Sequence, residues 1–314
     1  MKIWSATTFP ETPVNSISSK VYRDKHIKVD LKREDLIDTE VSGNKFRKLK
    51  YNMLQALEEG QYSILTYGGA FSNHIAAVAR AGKLFGLETI GVIRGEELGQ
   101  NFSDTLQKNS TLRFAYECGM QFEFVTRTAY REKNTESFRE SLKTKYGTFY
   151  EIPEGGTNEL AIKGCREILG AITVDYDYIA CAVGTGGTIA GIIEASLPHQ
   201  KVLGFPALKG DFLEDEIKKY TSKTNWELMP DYHFEGYAKT SEELIRFINR
   251  FKKEQNIQLD PVYTGKMMYG LTDLIRNGYF SKNTRIFAVH TGGLQGIPGM
   301  NDRLKKQGRS TISI

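Results

Sequence analysis

Two short stretches carry residue types that could do chemistry. The first is VSGNKFRKLKYN, residues 41–52, where Gly43 and Asn44 turn the chain just before Lys45. A lysine serves as nucleophile or base near neutral pH only when it is partly desolvated or set beside another positive centre. The second is AVGTGGTIAG, residues 182–191, in which Gly184, Thr185, Gly186, Gly187 and Thr188 lie between an apolar run and a helical pattern starting at Ile189. Without Cβ atoms, several backbone N–H groups can converge there, and a helix N-terminus adds partial positive charge. Two threonine hydroxyls can donate as well. The composition points to a phosphate. It is not a dinucleotide fingerprint, since the third glycine and the downstream carboxylate are missing, and no Lys-Ser or Lys-Thr follows as a Walker loop requires. Taken alone, the loop could instead be a tight turn, though four small residues in five and a second threonine weigh against that, and Lys45 could be one more cation beside Arg47, Lys48 and Lys50, which read as a solvated face.

The surrounding pattern says what must position these residues. Apolar residues at helical spacing in 46–60 give a helix, followed by a strand at 63–69, a helix at 72–86 capped by Ser72, and a strand at 88–95. The alternation continues with a helix at 106–119, a strand at 121–126 and a polar helix at 131–146. It restarts after about residue 150 with a helix at 159–170 and strands at 177–184 and 201–208. Helices at 241–253 and 265–277 and a strand and turn at 285–293 complete the series. Residues 1–20 read as an irregular arm, and 26–35 as a strand pair running into a polar turn. Short apolar strands alternating with helices indicate α/β architecture with mostly parallel sheets, and the two series predict two sheets. Ligands in such folds sit at strand carboxyl ends, here marked by glycines at 68–69, 184–187 and 292–293.

Composition narrows the function. The 314 residues are long enough for two packed domains, and 42 basic against 38 acidic side chains give a net charge of +4 without a nucleic-acid footprint. Cys118, Cys165 and Cys181 are widely spaced, so neither a disulfide framework nor a zinc site is expected, and no metal site is assigned. Cys181 reads as a small core residue. No leader or membrane-spanning stretch is apparent, and a soluble cytoplasmic protein is the expectation.

Five segments in order, SGNKFRKL, GGAFSNHIAAVARAGKLFG, VGTGGTIAG, LDPVYTGKMMYGL and HTGGLQG, resemble the pyridoxal-phosphate enzymes of the tryptophan-synthase-beta class. Within that class they are similar to the branch holding 1-aminocyclopropane-1-carboxylate (ACC) deaminase and D-cysteine desulfhydrase. The resemblance implies a two-domain fold with the cofactor in the cleft between domains. Residues 1–48 with 152–314 would form the large cofactor-binding domain and 49–151 the smaller one. It implies that Lys45 holds the cofactor aldehyde and moves the substrate α-proton, and that Asn73 meets the cofactor's phenolic oxygen. Ser72, Asn73 and His74 would receive the substrate carboxylate, while 184–188 would hold the phosphate. Thr291 would sit near the pyridine nitrogen, where a neutral hydroxyl leaves the ring a milder electron sink than an aspartate would. Tyr263, Tyr237 and Thr264 would face the substrate, and the usual assembly would be a homodimer.

Two departures bear on substrate. ACC deaminases of that family carry Ser-Asn-Gln and Tyr-Glu-Gly where this chain has Ser72-Asn73-His74 and Tyr263-Thr264-Gly265. A threonine cannot replace a carboxylate as acid or base at neutral pH. The expectation is therefore α,β-elimination on a small D-amino acid, D-cysteine first, giving pyruvate, sulfide and ammonia. ACC deamination, D-serine dehydration, β-replacement with a thiol and a non-catalytic phosphate-ligand protein are the alternatives.

Overall fold

The computed structural model describes residues 11–38, 41 and 43–314. The first ten residues, Thr39, Glu40 and Ser42 lie outside it, and with them half of the expected N-terminal arm. In chain order the strands are β1 (Val14–Ile17), β2 (Lys28–Lys32), β3 (Ser63–Gly69), β4 (Glu88–Arg94) and β5 (Gln121–Val125). They continue with β6 (Tyr150–Ile152), β7 (Tyr178–Val183), β8 (Lys201–Pro206), β9 (Trp226–Leu228) and β10 (Arg285–Val289). They form two sheets, with orders β1-β2-β10-β7-β8-β9 and β5-β4-β3-β6. Among the described residues only the β1–β2 pairing is antiparallel.

The chain divides into two compact units, one spanning Leu49–Asn158 and one made of residues 11–48 with Glu159–Ile314. In the second unit the strand periodicity explains the apolar runs. Ala180, Ala182, Leu203, Phe205, Ile286 and Ala288 enter one core, and Ile179, Cys181, Val183, Val202, Phe287 and Val289 enter another. Successive residues thus feed opposite faces, and a parallel sheet covered on both faces reads as continuous hydrophobicity. Cys181 is the small core residue its setting implies. In the first unit Leu65, Tyr67, Ile90 and Val92 share a cluster with Tyr130 and Leu142 of the following helical segments.

Several boundaries differ from the sequence reading. Residues 14–17 form an edge strand rather than irregular chain, and 26–35 hold one strand, β2, whose antiparallel partner is β1. The segment 106–119 breaks at Asn109, whose side chain accepts from Leu112 N and starts a second helix. Thr135 likewise caps a helix over Glu136–Tyr146 within the expected 131–146. The helix at 159–170 ends at Arg166, followed by tighter bonds from Glu167 and Ile168 to carbonyls three residues back. Among the described residues no helix is long and apolar enough to cross a membrane, and no cluster of three metal-ligating side chains occurs.

Candidate active site

β7 and β10 are neighbours, with Cys181 opposite Val289. The loop leaving β7 at Gly184 and the loop leaving β10 at His290 therefore emerge side by side at the carboxyl end of the sheet's two central strands. The β7 loop leads into the helix Gly187–Ala195, whose N-cap is Gly186 in a left-handed conformation (φ 82°) and which no side chain caps. Its first-turn N–H groups are thereby left to a ligand or solvent. A Cβ at Gly184 would stand 3.2 Å from the Tyr263 ring, a tight contact that the ring would have to yield to.

The β10 loop holds the lysine helix, Asn44–Glu58. Asn44 N donates to Thr291 O (3.2 Å), and the Asn44 side chain donates to Thr188 Oγ1 (2.7 Å). Gly43, at φ 69°, lies so near that a Cβ would fall 2.0 Å from Thr291 O. Lys45 thus begins a helix tied at once to the phosphate-type loop and to the HTGG turn. Burial holds its ammonium form well below the ordinary lysine pKa, and the neighbouring Lys48 charge adds to that depression.

The reading of Lys48 and Lys50 as surface charges is wrong, as is that of Arg47. All three are buried, at 2%, 1% and 2% exposure. Arg47 makes a two-pronged contact with the buried Glu34 (2.8 and 3.0 Å), which also accepts from Thr12 Oγ1. Lys50 lies 5.4 Å from the Tyr51 ring centroid. Lys48 Nζ reaches Thr185 Oγ1 at 3.4 Å, and desolvation pulls its pKa down to about 8. This residue belongs with the glycine loop, where a cation can complement a phosphate. A basic run gives no sign of that, because nothing in it marks which face of the helix is covered.

Tyr263 is half-buried and packs edge-on against Tyr237 (6.3 Å between centroids), itself about half exposed. Burial pushes the Tyr263 phenol well above its usual pKa. It is a hydrogen-bond donor, not a phenolate, at neutral pH. Thr264 departs from the expected substrate contact. It has no exposed surface; its hydroxyl donates to Asp260 Oδ1 (2.7 Å) and accepts from Asp260 N (3.0 Å). Asp260 also accepts from the N–H groups of Val262, Tyr263 and Thr264. Thr264 shapes the turn that presents Tyr263.

Ser72, Asn73 and His74 lie in the other unit. Ser72 caps the helix Asn73–Phe85, accepting from His74 N (3.2 Å) and Ile75 N (3.4 Å). Its hydroxyl proton stays available while its oxygen serves the cap. The His74 ring is buried, its Nε2 2.8 Å from Thr66 Oγ1. Thr66 gives its own proton to Ile152 O (2.8 Å), so His74 Nε2 is the donor in that contact. This contact ties the helix start to β3, and β3 through Thr66 to β6.

The chain matches the pyridoxal-phosphate dependent enzyme family over residues 9–292. It belongs to that family. A Pyrococcus horikoshii protein, named provisionally as a 1-aminocyclopropane-1-carboxylate deaminase, is 33% identical over 94% of this chain and 93% of its own. The mitochondrial bifunctional D-cysteine desulfhydrase/1-aminocyclopropane-1-carboxylate deaminase of Arabidopsis thaliana is 29% identical over 87% of this chain and 74% of its own. A crystal structure described as an ACC deaminase homologue superposes with TM-score 0.79 at 30% identity, covering 94% of this chain and 93% of its own. The chain is thus an enzyme of the ACC deaminase/D-cysteine desulfhydrase family, dependent on pyridoxal 5'-phosphate, acting by elimination or deamination on a small amino acid. The residues fit that cofactor. The glycine loop and uncapped helix suit its phosphate, Lys48 adds a cation, and the depressed Lys45 amine suits its aldehyde.

One consequence is measurable on the cofactor-free protein. If Lys45 takes the cofactor aldehyde, uptake of pyridoxal phosphate needs it as the neutral amine. Below about pH 8 Lys48 is charged and helps keep Lys45 neutral. Lys48→Met removes that charge, so the Lys45 pKa rises and the acid limb of the uptake rate moves to higher pH. Stopped-flow absorbance of cofactor uptake checks this; a midpoint that stays put or falls would show that the two amines do not interact.

Proposed function

We propose that the chain eliminates the β-substituent of D-cysteine, releasing sulfide, ammonia and pyruvate. The carrying observation is the turn at 260–264. Where a ring-opening enzyme of this family has a glutamate, this chain has Thr264, sealed onto Asp260. Asp260 is itself buried and engaged by four donors. Neither residue supplies a carboxylate able to exchange a proton with a substrate carbon. Expulsion of a thiolate has no such requirement.

Bound pyridoxal phosphate supplies the electron sink that stabilises charge left at the substrate α-carbon. Lys45, neutral at working pH, accepts the α-proton. Tyr263, protonated and set against Gly184, donates a hydrogen bond or a proton toward the departing group. The glycine loop and Lys48 would hold the phosphate, and Thr291 would serve the ring nitrogen as a neutral hydroxyl. A helix N-terminus with a serine hydroxyl, as at Ser72, suits a carboxylate.

The second reading is ACC deamination to 2-oxobutyrate and ammonia, which the names of the Pyrococcus relative and of the homologous crystal structure favour over the first. A panel of D-cysteine, L-cysteine, D-serine and ACC, scored for sulfide and keto acid, decides between them. Sulfide from D-cysteine should exceed 2-oxobutyrate from ACC by at least about tenfold, roughly 1.4 kcal/mol in transition-state binding. Comparable rates on both substrates would reject the D-cysteine assignment.

A further inference from the structure

Lysine 266 is buried to 1% exposure and plays no part in the chemistry above. It lies in the helix Thr264–Arg276, directly after the turn that presents Tyr263. Its Nζ donates to His233 O and to Gly236 O, each at 2.8 Å. Those carbonyls belong to a segment of unusual backbone. Phe234, Glu235 and Ala238 all have positive φ (51°, 65° and 55°), as does Gly236 (114°). Side-chain-bearing residues adopt this region at a steric cost, and three of them within five positions persist only where surrounding contacts over-determine the path. Other contacts support the same loop. Gly236 N donates to His233 O (3.0 Å), Lys239 N donates to Gly236 O (3.2 Å), and the Phe234 ring packs on Tyr269 (5.1 Å). None of these brings a charge to the two carbonyls.

The loop carries one side chain of interest, Tyr237. Its ring stands against Tyr263, whose own ring fills the space over Gly184. We propose that Lys266 is a positioning residue: its buried ammonium clamps the left-handed loop 233–239 and thereby holds Tyr237 against Tyr263. The clamp rests on geometry alone; its relevance to substrate rests on the reading of the two tyrosines given above. Charge-assisted bonds to two carbonyls are stronger than neutral ones, which suits a backbone that must be held rather than left to relax. Desolvation brings the Lys266 pKa down to about 8, while the Asp260 carboxylate opposes that shift and favours the charged form.

The test uses the cofactor-loaded protein and its Lys266→Met variant, with D-cysteine and ACC as probes. Hydrogen exchange at amides 233–239 should accelerate by tenfold or more in the variant, while exchange in β7 and β10 stays unchanged. KM for the substrate turned over should rise several-fold with kcat less affected, as expected for lost positioning of a binding group. Unchanged exchange at 233–239 would overturn the clamp. Faster exchange with KM and kcat both unmoved would overturn the positioning of Tyr237. If neither probe is turned over even by the native protein, the functional reading fails, and the exchange result still decides the clamp. Should Lys266→Met not fold, Glu235→Gly tests the strained loop from its exposed side. Relief of left-handed strain should slow exchange across 233–239, and unchanged or faster exchange would count against the proposal.

Discussion

Lys45→Ala abolishes turnover, lowering kcat by about 10⁴-fold or more, the upper end of what one positioned proton-transfer group contributes. The argument is electrostatic before it is chemical. An ammonium at this position loses solvation and faces the Lys48 charge, so the neutral amine is favoured. The helix start that fixes it is bonded to Thr291 O and Thr188 Oγ1, which gives the amine a defined place beside the glycine loop. Alanine keeps the helix and is half-buried there, so the variant should retain its thermal midpoint while losing activity. In the native protein, borohydride reduction should fix the cofactor on the peptide containing residue 45. A Lys45→Ala protein with native turnover would remove the basis of the mechanism.

Gly43→Ala has the second largest expected effect. The added Cβ would fall 2.0 Å from the Thr291 carbonyl oxygen and 2.9 Å from Gly292 Cα, both backbone atoms that cannot swing aside. The residue would also have to hold φ 69°. Overpacking of this kind and left-handed strain together cost about 2–5 kcal/mol. The loss is expected in two measurements: a lower midpoint in chemical denaturation, and a fall in cofactor affinity, because the HTGG turn and the lysine helix are pushed apart. A variant with native stability and native cofactor uptake would contradict this geometry.

Much of this was legible in the sequence because the motifs report backbone constraints. Glycine at 43 marks a place where the chain comes too close for a Cβ, and such a requirement leaves a signature whatever lies around it. The strands were legible for a related reason, since burial on both faces makes each an unbroken apolar run. What stayed hidden depends on partners far away in sequence. Thr264 reads as a candidate substrate contact until Asp260 is seen to take its hydroxyl. His74 reads as a candidate ligand, and only the fold shows that Thr66, whose proton is committed to Ile152, takes a hydrogen bond from its Nε2. Lys266 gives no sign at all, since its partners are backbone carbonyls and carbonyls carry no residue identity. Strand β9 and the short β6 were missed because three residues are too few to show a period.

The lysine helix has a consequence for proteolysis. Residues 47–50 read Arg-Lys-Leu-Lys and residues 303–306 read Arg-Leu-Lys-Lys, the same four side chains in a different order. In the second run the three basic residues are exposed, whereas in the first all three are sealed inside the protein. Trypsin acting on the native chain should therefore trim the C-terminal helix and leave the run beside Lys45 intact. A cut after Arg47, Lys48 or Lys50 would then report that the start of this helix had opened.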